Sequence, residues 1–399
     1  MRVSLVSLGS GRPETVTAEG LAALREAACI LGAERLLEHL PEGCTPNRAA
    51  AVRPQVLLEA ILEQDGDCAV VYSGDAGFYS GARGLLPLLE EAGIPARVLP
   101  GVSSVQMLSA RLGRSWQDWV LVSAHGTECD VIKAVTQGRP AFFLTGGALG
   151  PGEICARLRA AGLGELPVTV GENLSCPDER LLSGTAEELA EKPFAALSVL
   201  LAEAAPRPER RCAGYPDGAF LRGGVPMTKQ EVRAAALAKL AVRPGETFWD
   251  VGAGTGSVSV ELALAAEGGR VFAAECESEA CGLIRANREK FRAWNLQLVE
   301  GRAPAALEAL PAPDGVFIGG SKGALEEITA LALARNPRAR ICVAAIALET
   351  LSAASAALAR HGIEAQVTQI AVSRSRPAGR LHLLAANNPI FLITGNCDA

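Results

Sequence analysis

Histidine, aromatic side chains and surplus positive charge are what this chain of 399 residues has least of. Four histidines leave few imidazoles for acid–base or metal chemistry, and none stands at a ligand-like interval from a cysteine. The 11 cysteines include no C-x-x-C pair; the nearest two are Cys276 and Cys281, and others lie singly in apolar runs, as at Cys29, Cys68, Cys155 and Cys342. A structural zinc site is therefore not expected, and small buried thiols are. A formal charge of −6 with 4% aromatic residues disfavours a nucleic-acid binder working through a basic, aromatic-rich surface. No apolar run approaches the ~20 residues of a membrane span. The N-terminus leads directly into a strand-like run without a signal-peptide profile, so the expected location is cytoplasmic.

What is present is an alternation of strand-like and helix-like runs over a length that exceeds one ordinary core. Strands are expected at RVSLVSLG, CAVVYSG, ARVLPG, WVLVSAHG, AFFLTGG, LPVTVGE and FAALSVLLAE in the first half. The spacing of Leu21, Leu24, Ala28 and Leu31 predicts one amphipathic helix over 18–31. At Ala205-Pro-Arg-Pro-Glu-Arg-Arg-Cys212 the alternation stops, and Gly214-Tyr-Pro-Asp-Gly218 follows. These prolines, glycines and charges read as a linker. The expected division is a first domain over 1–205, a linker over 206–217 and a second domain over 218–399. The second half opens with Thr228-Lys-Gln-Glu231, which has the form of a capping box ahead of a helix reaching about Val242. Strands follow at FWDVG, RVFAAE, LQLVEG, GVFIGG and ARICVAAI, with two more expected in AQVTQIAV and LHLLAANNPIFLITG. Parallel sheets covered by helices are the expected architecture of both halves.

The most informative stretch is Asp250-Val-Gly-Ala-Gly-Thr-Gly256, where a strand breaks into glycines before a helix-compatible run. Glycines there let backbone N–H groups approach a ligand at a helix N-terminus. Ser257 occupies the place of the third glycine in a dinucleotide fingerprint. The spacing instead matches the D-x-G-x-G-x-G pattern of S-adenosylmethionine (SAM) enzymes. Glu275 ends the next strand, 23 residues after Gly252, as suits a carboxylate that takes ribose hydroxyls. Asp250, Gly252, Ala253, Gly254, Thr255, Gly256 and Glu275 are thus candidate cofactor contacts. Thr228 could cap its helix or face the methionine end, Ala303 is small enough to admit an adenine ring, and Lys322 could meet a substrate carboxylate or be solvated.

In the first half, five strand-end motifs recur: Ser7-Leu-Gly-Ser-Gly-Arg-Pro-Glu14, Tyr72-Ser-Gly-Asp-Ala-Gly-Phe78, Leu99-Pro-Gly-Val-Ser-Ser104, Ser123-Ala-His-Gly126 and Leu144-Thr-Gly-Gly147. Together and in this order they resemble the tetrapyrrole methylase family, a class III SAM-methyltransferase fold. The first loop departs from the family's G-x-G-P-G, and Arg12 is expected at the cleft mouth. The second half resembles the class I, Rossmann-like SAM-methyltransferases, whose last strand inserts antiparallel. The pairing is similar to the bifunctional, decarboxylating precorrin methyltransferases of cobalamin biosynthesis, from the metal-free or the cobalt branch.

That resemblance implies SAM contacts in the first domain at Asp75, Gly77, Ser103 and Ser104, and at Leu144 and Gly171 to Asn173. It also implies one SAM site per domain, C5 methylation by the first domain, and C15 methylation with loss of the ring C acetate carboxyl by the second. A tetrapyrrole substrate and a homo-oligomer are expected; nucleic acid, membrane and resident metal are not. The macrocycle brings its own nucleophilic carbon and electron sink, so no strong base is required; His125 is the one candidate. A polycarboxylate substrate calls for local cations, for which Arg12, Arg83, Lys322, Arg374 and Arg376 are candidates. Two other readings stand: an RNA or protein acceptor for the second half, and a first half that only binds a tetrapyrrole.

Overall fold

The computed structural model describes residues 1–125, 129–147, 149–208 and 213–397. The chain divides into two compact units, one built mainly from Met1–Ala204 and the other mainly from Ala205–Ala399, with the short segments Thr136–Gly138 and Ala160–Leu163 grouped with the second.

The first unit holds two five-stranded sheets. In the first sheet β1 (Val3–Ser7), β2 (Cys29–Gly32), β3 (Arg48–Ala50), β4 (Cys68–Tyr72) and β5 (Ala96–Leu99) lie in the order β3-β2-β4-β1-β5. Every pairing is parallel, and the inner strands are buried on both faces, which is why they read as unbroken apolar runs. The helix expected over 18–31 is in fact Ala18–Glu26, and the chain extends at Ala27 before entering β2. Leu31 thus belongs to a strand. Cys29 to Gly32 are buried throughout, and a run of four apolar residues suits a covered strand as well as a helix end.

The second sheet corrects the parallel expectation. Its strands β6 (Val120–Ser123), β7 (Ala141–Leu144), β8 (Pro167–Glu172), β9 (Arg180–Thr185) and β10 (Ser198–Ala202) lie in the order β6-β7-β10-β8-β9. Only β6 and β7 run parallel; β10 is antiparallel to both its neighbours, and β9 to β8. Side-chain alternation reports burial and not strand direction, so the sequence pattern leaves this open.

The second unit carries a seven-stranded sheet in the order β13-β12-β11-β14-β15-β19-β16. Its strands are β11 (Thr247–Val251), β12 (Arg270–Glu275), β13 (Leu296–Glu300), β14 (Gly315–Ile318), β15 (Arg340–Ala345), β16 (Gln366–Ile370) and β19 (Ile390–Gly395). The first five are parallel, and β19 inserts antiparallel between β15 and β16. Alternation along β11 sends Phe248 into one apolar core with Val260, Val271 and Ile284, and Trp249 into another with Phe272 and Ile318. Between β16 and β19 an exposed hairpin forms from β17 (Ser373–Ala378) and β18 (Leu381–Ala386), so LHLLAANNPIFLITG supplies two strands rather than one.

The capping box expected at Thr228 does not form. The helix is Gln230–Lys239 and its N-cap is Lys229, while Asp217 from a preceding turn accepts the Gln230 N–H at 2.9 Å. Asp217 is fixed by Arg233, which is fully buried and also donates to Glu261 at 3.1 Å. With the capping group supplied across 13 residues, Thr228 keeps its side chain for other work.

Candidate functional site

A cleft of about 830 Å³ lies along the carboxyl ends of the second unit's parallel strands. Its floor begins at the glycine loop. Gly252 has φ +69°, and a Cβ there would stand 2.4 Å from the Gly320 carbonyl oxygen, so the loops after β11 and β14 touch through backbone alone. Gly254 has φ +57° and lies against the Pro226 carbonyl, which brings the segment 225–229 over the loop. The Gly254 N–H donates to Glu275 Oε2 at 2.9 Å, and Glu275 Oε1 accepts from Cys276 and Glu277 N–H at 2.7 and 3.0 Å. Glu275 is thereby locked at the end of β12, with 7% of its surface exposed at the cleft.

Of the residues expected here, Thr228, Gly252, Ala253, Gly254, Glu275, Ala303 and Lys322 line the cleft. Asp250, Thr255 and Gly256 do not. Asp250 is fully buried beneath the loop, its Oδ2 bonded to the Ser259 hydroxyl and its Oδ1 without a partner. Burial, offset by the Ser259 hydrogen bond and reinforced by Glu275, pushes its carboxyl up to about 7. Thr255 is also fully buried, with an unpartnered hydroxyl. Both residues shape the loop from behind. Lys322 ion-pairs with Glu277 and sits beside Cys276; the Glu277 carboxylate raises its pKa, and Lys322 in turn lowers that of Glu277.

The cleft continues past the expected residues, over Ala344 to Ala347 at the end of β15, Thr350, Ile370 and Val372 around the end of β16, and Asn387, Asn388 and Ile390 at the start of β19. Sequence reading missed this end because it depends on an antiparallel strand bringing its beginning beside the ends of the others. The hairpin rises from the same rim, its base closed by the Asn387 N–H bonded to the Val372 carbonyl at 2.9 Å. Arg374 and Arg376 lie on it outside the cleft lining, and Arg374 is held by Glu231 and Asp217.

The first unit has its own cavity, of about 400 Å³, lined by Gly9, Ser10, Asp75, Ser103, Ser104, His125, Leu144 and Gly171 among others. Asp75 is its keystone: Oδ1 accepts the Gly77 N–H at 2.7 Å and Oδ2 the Gly101 N–H at 2.9 Å. The Gly-Asp-x-Gly-Phe and Pro-Gly-x-Ser-Ser elements are therefore tied to each other by one carboxylate, while Gly77 itself is not at the cavity wall. Ser103 donates from its N–H and hydroxyl to Gln106 Oε1 at 2.8 and 3.2 Å, opening the helix Ser104–Leu112. His125 reaches the cavity with Nδ1 3.4 Å from the Thr145 carbonyl; Gly126 lies outside the described residues. Glu172 and Asn173 turn away, to Arg180 and Asp178. Arg12 does not enter: it hydrogen-bonds to the Ser175 carbonyl at 3.2 Å and pairs with Glu14. Arg83, exposed, is likewise absent from the wall.

Residues 2–190 match the family model for tetrapyrrole (corrin/porphyrin) methylases, and residues 218–395 match that for a precorrin methyltransferase domain. A probable cobalt-precorrin-6B C(15)-methyltransferase (decarboxylating) of Pyrobaculum calidifontis is 46% identical over 45% of this chain and 94% of its own. The precorrin-6Y C(5,15)-methyltransferase [decarboxylating] of a Sinorhizobium species is 32% identical over 80% of this chain and 78% of its own. The chain belongs to the decarboxylating precorrin methyltransferases. A solved structure, precorrin-6y C5,15-methyltransferase from Geobacter metallireducens GS-15, is 40% identical, covering 46% of this chain and 95% of that one with a TM-score of 0.44. Precorrin methyltransferases use SAM as methyl donor, and the second unit's cleft suits it. The floor of that cleft is bare backbone where a Cβ would collide, at Gly252, with a buried carboxylate, Glu275, at its edge.

Proposed function

We infer that the chain is a bifunctional SAM-dependent C-methyltransferase of corrin biosynthesis, methylating C5 and C15 of a precorrin-6B-type substrate and removing the ring C acetate carboxyl. The reading assigns C5 to the first unit, with a tetrapyrrole methylase fold, and C15 with decarboxylation to the second. The strand order and the antiparallel β19 support a class I, Rossmann-like fold for the second unit. The observation that carries the proposal is the presence of two separate cavities, each at strand ends of its own unit and each lined by a family-type loop.

Bound SAM supplies an electrophilic methyl group at each site. In the second unit, Gly252 to Gly254 offer backbone to the methionine end together with Thr228. Glu275 takes the ribose hydroxyls through lone pairs left by its three N–H bonds, and Ala303 leaves room for adenine. In the first unit, Ser103, Ser104 and Leu144 form the wall, and Asp75 acts by holding two loops in register. The protein's contribution is to hold donor and electron-rich ring carbon in line. His125 has geometry for a hydrogen bond to backbone and is not needed as a base. The exposed leucines of the hairpin, Leu381, Leu383 and Leu384, suit contact with a broad apolar surface: a macrocycle, or another copy of the chain in a homo-oligomer.

Titration of S-adenosylhomocysteine into the full chain tests the two-site reading. Two sites are expected for the wild type and one for Gly254→Arg, whose side chain would meet the Pro226 carbonyl. One site in the wild type, lost in the variant, would reduce the first unit to a binding module.

A further inference from the structure

The long cleft of the second unit is divided by charge. The charged side chains in its wall, among the described residues, are Lys229, Glu275, Glu277, Arg302 and Lys322. Glu275 and Glu277 stand at the end of β12, Arg302 follows β13 and Lys322 follows β14. Lys229 lines the cleft just ahead of the helix Gln230–Lys239. The other end, over β15, β19 and β16, is walled by Ala344 to Ala347, Ile370, Val372 and Ile390, with Thr350, Asn387 and Asn388 as its polar side chains. Strands sit about 4.8 Å apart, so β16 is five places and about 24 Å from β12; β14 adjoins β15, but Lys322 after it is drawn to Glu277 at the end of β12.

We propose that this uncharged end is the decarboxylation subsite: it receives the carboxylate that is lost and orients it with neutral donors only. The proposal rests on the acceptor assignment made above. The chemistry asks for such a site. When the C–C bond to the carboxylate breaks, CO2 departs and the bonding pair moves into the conjugated ring system that methylation has made electron-poor; a proton from water then completes the new methyl group. Negative charge leaves the carboxylate oxygens along this path. A cation paired with them would stabilise the starting state more than the transition state and slow the step. Neutral amides and a hydroxyl can aim the group without holding its charge in place. The substrate's remaining carboxylates are left to the charged half and to solvent. The division therefore separates carboxylates that must be kept from the one that must go.

Ile346 gives a clean test, because it lines this end and is 66% exposed, so its replacement removes no core packing. Wild type, Ile346→Lys, Asn387→Lys and the uncharged control Ile346→Gln are incubated with purified precorrin-6B and SAM, and products are resolved by mass. The lysine variants are expected to release methylated product that keeps its carboxyl, with the decarboxylated fraction reduced about tenfold, and Ile346→Gln to decarboxylate a larger fraction than Ile346→Lys. S-adenosylhomocysteine affinity should be unchanged in all of them, which shows that the donor site is intact. Equal decarboxylated fractions in both lysine variants and wild type would overturn the proposal. Absence of any mass change in the wild type with both precorrin-6B and its cobalt form refutes the acceptor assignment instead, and the subsite falls with it.

Discussion

The Gly254 N–H and the Glu275 carboxylate meet at 2.9 Å, joining the loop after β11 to the end of β12. One carboxylate thus fixes the loop's backbone and faces the cleft. Glu275→Gln removes its charge while keeping size. Loss of one charge-assisted hydrogen bond is worth about 1.5–3 kcal/mol, so S-adenosylhomocysteine affinity at the second site should fall about 10- to 150-fold. Calorimetric titration of the variant checks this, and an unchanged affinity would show that the ribose end is held elsewhere.

Asp250 makes the second unit's stability depend on pH. Its carboxyl is raised to about 7 in the folded protein, chiefly by burial. The unfolded chain ionises near the ordinary value of about 3.9. Between these values the folded state holds a proton that the unfolded state has lost, so stability is greatest below pH 4 as far as this group is concerned. It declines as pH rises towards 7. Asp250→Asn cannot titrate. Urea unfolding at pH 5 and pH 8 should show the variant gaining on the wild type at the higher pH, and parallel behaviour would contradict the buried-carboxyl account.

Arg233 is fully buried between Glu261 and Asp217 and lies over the Phe220 ring at 4.6 Å. Arg233→Met keeps the packing volume but strands the Glu261 charge. Removing one partner of a buried pair costs about 3–5 kcal/mol. Thermal unfolding followed in the full chain should show the second unit's transition lowered while the first unit's transition stays in place.

In the first unit, Asp75→Asn replaces a carboxylate that accepts from two backbone N–H groups in separate loops. The amide can accept on one side only, so the loops lose their common tie. S-adenosylhomocysteine affinity at the first site is expected to drop about tenfold or more, with the second site unaffected. An equal drop at both sites would mean that the effect is not local to these loops.

Most strands were legible because covered strands leave apolar runs ending in glycine, and the glycine loop was legible because its conformation excludes side chains. Other features were hidden. Leu31 sits in β2 because four buried residues satisfy helix and strand patterns alike. The Thr228 capping box fails because Asp217, 13 residues from Gln230, supplies the cap through a tertiary contact. Arg12 and Asp250 were placed at ligands by motif position, yet Arg12 is drawn to the Ser175 carbonyl and Asp250 lies beneath its loop; motif spacing fixes a backbone path and not the direction of each side chain. The uncharged end of the cleft was the largest omission, since only the insertion of β19 assembles it.

The central claim is that two sites on one chain carry out two methylations and one decarboxylation. Incubation of the full chain with purified precorrin-6B or its cobalt form, and SAM, followed by mass analysis of the product, tests it most directly. The expected product has gained two methyl groups and lost one CO2. No mass change with either substrate form would contradict the account.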